Sequence, residues 1–400
     1  MNILIFTWQD LGIKDVCEAL DKTGDTYRCV TSEYLRERVS PEFDSLFERV
    51  FDEGRYDCVF TFNFSPVLSH NCNRRNIPYI AVVYDSPLVQ LYSCALINPC
   101  NYIFVFDKTL YQELKQGQIS TVYYAPLAVN TERIARQLKC LDAPAEDGQG
   151  ETIRRSYTCD VSFLGSLYQE THNFFDRLEN LSPYVKGYLD AVMAAQKAVC
   201  GQWFVEELLT PEIVDAMQKS LAPAKVVPNP DGVETVSWIF ANVFLARKIA
   251  ATERQELLAA ASEHFDTWLY TPGTTSMLPR VRNRGPVDYY RYMPFVFACS
   301  RINLNITLRS IRSAIPLRAM DIMGAGGFLL SNYQSEFYDF FVPGEDMEIF
   351  YSKEDMLQKC RYYLSHDAER RQIAANGHGK VKEKHTFEIR LKEIFSIVFG

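Results

Sequence analysis

Three arginines and an aspartate fall close together in one stretch, RINLNITLRSIRSAIPLRAMDIMGAGGFLLSN, which runs from Arg301 to Asn332. They are Arg309, Arg312, Arg318 and Asp321. The pattern reads as strand, polar loop, helix, glycine-rich turn, strand. Pro316 suits the first position of the helix, where its missing N–H costs nothing. A helix start offers unbonded amides and the positive end of its dipole. With guanidinium forks nearby, it can hold a diphosphate without a metal. Asp321, one turn beyond Arg318, can accept both hydroxyls of a ribose. Gly324, Gly326 and Gly327 end the helix and allow close backbone approach. On residues alone, a second reading stays open. Arg318 and Asp321 are spaced i, i+3 and can simply pair with each other, with GAGG an ordinary C-cap and turn.

The surrounding elements decide where such a loop is presented. Short apolar runs at Asn2–Thr7, Tyr27–Val30, Asp57–Phe62, Pro78–Tyr84, Tyr102–Phe106 and Thr121–Tyr124 alternate with helical patterns. Continuous apolar strands separated by helices predict a parallel sheet covered on both faces. Such sheets bind ligands beyond the carboxyl ends of their strands. Asp85 and Asp107 fall at such ends. Asp85, before Ser86–Pro87, reads either as a general base or as the cap of a helix starting at Pro87. Asp107 reads as a cap. The polar stretch Ala143–Arg155 reads as a linker or surface excursion.

A second set of strands begins at Asp160–Leu164, ending in Gly165 and Ser166, and continues at Thr267–Tyr270, Ile302–Ile306 and Phe328–Ser331. Between them, Asn173–Ala261 is mainly helical, broken by the proline-rich Ala222–Asp231. Helices are also predicted at Tyr289–Cys299, after a Ser352 cap, and from a Thr386 cap to the end. Two α/β domains follow, over 1–155 and 156–384. The second carries a helical insertion over 173–261, and a last helix occupies 385–400.

Composition narrows the function classes. The chain has 400 residues and a net charge of −8, which argues against a general grip on nucleic acid. MNILIF reads as a first strand, not a signal peptide. No stretch reaches the ~18–20 apolar residues of a membrane span. Eleven cysteines without CxxC pairs read as reduced thiols of a cytoplasmic protein, and six histidines without ligand spacing give no metal site. Neither half carries GxGxxG, which counts against a nicotinamide-dependent oxidoreductase.

From Asp160 onward the chain resembles the C-terminal domain of the CgeB-like (spore maturation protein type) glycosyltransferases. The resemblance rests on DVSFLGSLY (Asp160–Tyr168), the run from Arg301 to Tyr333, and HTFEIRLKEIF (His385–Phe395). MNILIF, VVYDSPL (Val82–Leu88), VFDK (Val105–Lys108) and APLAVN (Ala125–Asn130) resemble the accompanying N-terminal domain. The resemblance implies the α/β GT-B architecture: two facing Rossmann-like domains with a C-terminal crossing helix. It implies transfer of a sugar from a nucleotide sugar, most commonly a UDP-sugar, to a hydroxyl acceptor. No cofactor is implied beyond that donor. By the same resemblance Asp321 is the ribose ligand, and Arg318, with Arg309 or Arg312, neutralises the leaving diphosphate. Gly165 and Ser166 approach the phosphates, and Tyr270 and Thr271 lie against the nucleobase. Asn305 is either a donor contact or a structural residue. Asp85 is the acceptor-side base if transfer inverts; family analogy leans towards retention. An acidic residue expected eight positions before Asp321 is replaced by Ser313. That departure keeps open a noncatalytic nucleotide- or glycan-binding relative. The acceptor, whether protein, polysaccharide, lipid-linked precursor or small metabolite, is not read.

Overall fold

The computed structural model describes residues 1–8, 11–141, 149–169, 174–221 and 223–400. The chain divides into two compact units, Met1–Ala128 with Val227–Thr235 and His385–Gly400, and Val129–Val226 with Val236–Lys384. Each is built on one six-stranded sheet with every strand pair parallel.

The first sheet comprises β1 (Asn2–Thr7), β2 (Thr26–Thr31), β3 (Cys58–Phe62), β4 (Tyr79–Val82), β5 (Asn101–Val105) and β6 (Val122–Tyr124), in the order β2-β1-β3-β4-β5-β6. Alternation along β1 explains its continuous apolar run. Leu4 and Phe6 enter one buried cluster with Phe43, Phe47 and Val67, while Ile3 and Ile5 enter another with Val16 and Leu20. The terminal helix Phe387–Phe399 belongs to this unit and closes the second cluster with Phe387, Leu391 and Ile394. Thr386 caps it, as expected, by accepting from the Ile389 amide.

The second sheet comprises β7 (Val161–Leu164), β8 (Thr267–Tyr270), β9 (Arg282–Asn283), β10 (Ile302–Asn305), β11 (Leu329–Asn332) and β12 (Glu348–Phe350), in the order β12-β11-β10-β7-β8-β9. Its order reverses between β7 and β10, which is the switch point where such sheets bind ligands. The helices between β7 and β8 form a satellite core around Leu189, Met217, Phe240 and Leu245.

Three boundaries differ from those read in the sequence. Part of the expected linker, 143–148, lies outside the described residues, but Gln149–Tyr157 is a helix. It is apolar-poor, and Tyr157 anchors it by stacking near Tyr270 and Phe295 at 6.5 and 6.1 Å. The compact units part at Ala128/Val129 rather than near 155, because Val129 and Ile134 pack with Ile322 and Met323. The helical insertion, whose expected start at Asn173 lies outside the described residues, is interrupted by Val227–Thr235, which belongs to the first unit. There the Val233 amide donates to the Tyr92 carbonyl, and Cys94 donates to Asp231. Arg38 and Glu234, both buried, form an ion pair of 2.7 Å. Among the described residues no helix is long and apolar enough to cross a membrane.

Candidate functional site

In the second unit the loop after β10 leads into the helix Leu317–Gly324. Pro316 sits at the N-cap, not at the first helical position. Its ψ of 156° is extended, and its carbonyl accepts from Ala319 and Met320 at 3.0 and 3.5 Å. Among the described residues, the amides of Leu317 and Arg318 find no protein acceptor. They are the open donors that a helix start leaves. Gly326, at φ 71°, carries the turn after the helix, and a Cβ on Gly327 would lie 2.6 Å from the Phe297 carbonyl.

Arg318 is partly exposed and lies over the Phe297 ring. Its Nη1 also reaches Asp321 Oδ2 at 3.3 Å, so the i, i+3 pair is present. The Asp321 carboxylate is only 1% exposed, and its Oδ1 accepts from the Tyr289 hydroxyl at 3.0 Å. Tyr289 and Arg318 therefore orient this carboxylate from two sides.

The switch point itself is held by a residue that sequence reading passed over. Arg254, on the helix Ala246–His264, is 7% exposed. It donates to the Ser166 carbonyl at 2.6 Å and twice to the Ile306 carbonyl, at 3.2 and 2.7 Å. These carbonyls follow β7 and β10. Burial pulls the Arg254 pKa down, and the Arg318 charge acts in the same direction. The Arg318 charge is thus felt at the buried Arg254 and disfavours a second positive charge there.

The other expected residues divide. Gly165 donates its amide to the Tyr270 carbonyl at 3.1 Å, and Ser166 Oγ accepts from the Tyr168 amide at 2.9 Å. Both stand at the carboxyl end of β7. Arg309 is turned away from the expected diphosphate role. It is buried in a two-pronged pair with Glu253, at 3.2 and 2.5 Å, and its Nη1 contacts Cys200 Sγ at 3.0 Å. Burial opposes its charge, but Glu253 outweighs that and raises its pKa. Arg312 is half-buried and already engaged. Asn305 takes the structural alternative, donating to Thr307 Oγ1 and Ser331 Oγ at 2.9 Å each. Tyr270 is 2% exposed within the core cluster and offers no face to a base. Thr271 is buried as well, but its hydroxyl has no partner among the described residues. Ser310 Oγ and Gln334 Oε1 are likewise buried without one. All three follow strands of the second sheet at its carboxyl edge, where orphaned polar atoms point to a ligand or water.

The loop between β10 and the helix is pinned from the segment after β11. Asn332 exchanges hydrogen bonds with the Thr307 backbone, at 2.9 and 3.1 Å, and Gln334 donates to the Ile311 carbonyl at 3.1 Å. Glu336 accepts from Ser313 Oγ at 2.7 Å. The available signal was the polar alternation in NYQSE.

In the first unit Asp85 is exposed after β4. Asn63 Nδ2 donates to its Oδ2 at 2.8 Å, while Asn63 Oδ1 accepts from the amides of Tyr84 and Asp85. No helix starts at Pro87; the short turn is Val89–Tyr92, with Leu88 at its N-cap. Asp107 does cap its helix, accepting from Thr109 and Leu110. Among the described residues, no three His, Cys, Asp or Glu side chains come together in a way that could hold a metal ion.

Residues 245–396 match a family model described as glycosyl transferase-like. No curated protein matches the chain in sequence. Solved structures of similar fold include sucrose-phosphate synthase from Thermosynechococcus elongatus, with a TM-score of 0.55 at 11% identity over 100% of this chain and 99% of that one. Anabaena HepE in complex with UDP-glucose aligns with a TM-score of 0.54 at 7% identity, over 100% and 99%. A UDP-forming α,α-trehalose-phosphate synthase from Burkholderia xenovorans aligns with a TM-score of 0.52 at 12% identity, over 99% and 98%. The two parallel sheets and these neighbours define a GT-B-type fold of two Rossmann-like units. Within that fold, the segment that matches the glycosyl transferase-like model covers most of the second unit and the terminal helix.

Proposed function

We propose that the chain transfers a sugar from a UDP-sugar, without a metal, to a hydroxyl acceptor, and that it is of the CgeB-like type. The observation that carries the donor assignment is the open start of the helix Leu317–Gly324. Two unbonded amides lie there beside Arg318, with Arg254 close enough to be felt electrostatically. Donors aimed at a departing diphosphate stabilise the charge that develops on it, usually the largest single term in such catalysis. Asp321, oriented by Tyr289, is the ribose acceptor in this reading, with Thr271, Gly165 and Ser166 along the same strand edge. Two of the structural neighbours are a UDP-glucose complex and a UDP-forming synthase, which favours uridine. In a retaining transfer the leaving phosphate takes the acceptor proton; in an inverting one Asp85 takes it.

Calorimetry with UDP and UDP-glucose on the wild type and on folded Arg318→Ala and Asp321→Ala tests the site. Each substitution is expected to weaken binding about tenfold or more. Unchanged affinity in both removes the assignment. UDP release from UDP-glucose separates a catalyst from a relative that only binds nucleotide.

A further inference from the structure

The opposite edge of the second sheet carries a separate concentration of charge. A cavity of about 430 Å³ opens beside the residues that precede β7, β10 and β11, and Arg154, Arg301, Arg370, Arg371 and Asp367 line it. The intervening strands are four residues long, which sets this edge about 13 Å or more from the donor edge.

Its charges are unbalanced. Asp367 alone is shared by three guanidiniums: Arg370 at 2.5 Å, Arg371 at 2.7 Å and Arg301 at 3.9 Å. Among the described residues, the other carboxylate on these three is Asp160, 3.2 Å from Arg301. The hydrogen bond from Arg370 leads the effects that hold the Asp367 carboxyl below its usual range. Burial lowers the Arg370 pKa, and Arg301 and Arg371 lower it further by repulsion. Arg370 donates to the Tyr363 carbonyl and Arg301 to the Leu364 carbonyl, which holds both cations at this edge. The guanidiniums of Arg301 and Arg370 each carry five N–H donors, more than these carboxylate and carbonyl partners take up, and both side chains line the cavity. The volume lies within the range of small-ligand pockets.

We propose that this cavity is a second anion site, distinct from the donor edge, for a phosphate-bearing ligand with two or more negative charges. Planar guanidiniums grip such oxygens in pairs, and a dianion offsets the positive surplus that Asp367 and Asp160 leave. Binding there stabilises the second unit and is weakened by salt.

The test is calorimetric titration of the full chain with inorganic pyrophosphate. The backgrounds are wild type, Arg318→Ala at the donor edge, and Arg154→Ala/Arg371→Ala in the cavity. The cavity pair is chosen because Arg371 is 77% exposed, so folding is spared; Arg371→Glu serves as a second variant. A site retained in Arg318→Ala and weakened about tenfold or more in both cavity variants supports the proposal. Pyrophosphate affinity unchanged in the cavity variants, or lost only in Arg318→Ala, overturns it. Co-sedimentation with phosphatidic acid vesicles distinguishes the source. Vesicle binding that the cavity variants lose assigns a lipid headgroup, and its absence beside pyrophosphate binding assigns a free ligand.

Discussion

Arg309 provides a sharp test of whether a buried cation serves the fold or the ligand. Its side chain is 9% exposed and that of Glu253 is 8%. The pair is two-pronged, so Arg309→Met leaves both Glu253 oxygens without their main donor in a dry setting. Breaking a buried pair from one side costs about 3–5 kcal/mol. The lost contacts to Val199 and Cys200 add about 1 kcal/mol. Glu253→Met is expected to cost a similar amount from the other side. The double variant, with no charge left to desolvate, should return to within about 1–2 kcal/mol of wild type. The cycle then yields a coupling of about 6 kcal/mol or more, large for any single pair. Urea denaturation of the four proteins measures it, and UDP calorimetry on the folded variants measures the donor site. Full stability of Arg309→Met together with lost UDP affinity would refute the reasoning and return Arg309 to the diphosphate.

Two further outcomes follow from the first unit. Asp85→Asn should leave UDP affinity intact and, if transfer inverts, slow it by about a hundredfold or more in a rate assay; normal turnover removes Asp85 as the base. Glu388 on the terminal helix is partly buried, which opposes its charge, but the hydrogen bond from Lys22 prevails and lowers its pKa from 4.5. A depressed carboxyl contributes stability in full above its unfolded pKa and loses it as pH falls through the folded value. The melting temperature of Glu388→Gln should therefore lie below wild type near neutral pH, and the two should converge as pH falls through the lowered folded-state value. A gap that persists in acid rules out the ion pair as its cause.

Periodicity made most strands legible because the sheets are parallel and buried on both faces, so Asn2–Thr7 and Thr267–Tyr270 stand out as written. The strands it passed over, Arg282–Asn283 and Glu348–Phe350, are two and three residues long and carry too little alternation to count. The helix Gln149–Tyr157 was hidden because its stability comes from packing at Tyr157 rather than from an apolar stripe. The helix start at Pro316 was legible from local chemistry alone. Which arginines would serve it was not. Arg309 and Arg318 have the same side chain a few positions apart, and only the long-range partner decides between them. That partner, Glu253, lies on another helix and is adjacent to Arg254. Two adjacent charges in an alanine-rich helix are both buried because one meets Arg309 and the other meets carbonyls just beyond β7 and β10.

Ser313 carries the same lesson further. An acidic residue is expected there by resemblance, and its replacement kept a noncatalytic relative open. In space a carboxylate is nevertheless present, since Glu336 reaches Ser313 Oγ and donates its own amide to the Ser313 carbonyl at 3.0 Å. Glu336 is the last of three polar residues, after Asn332 and Gln334, that hold the loop from one side. A side chain replaced in sequence can thus be supplied by the segment that follows the next strand. The shape of the loop then depends on the alternation in NYQSE, not on the residue at 313. Since that loop ends at Pro316, the orientation of the open amides is set by residues that come after the helix they precede.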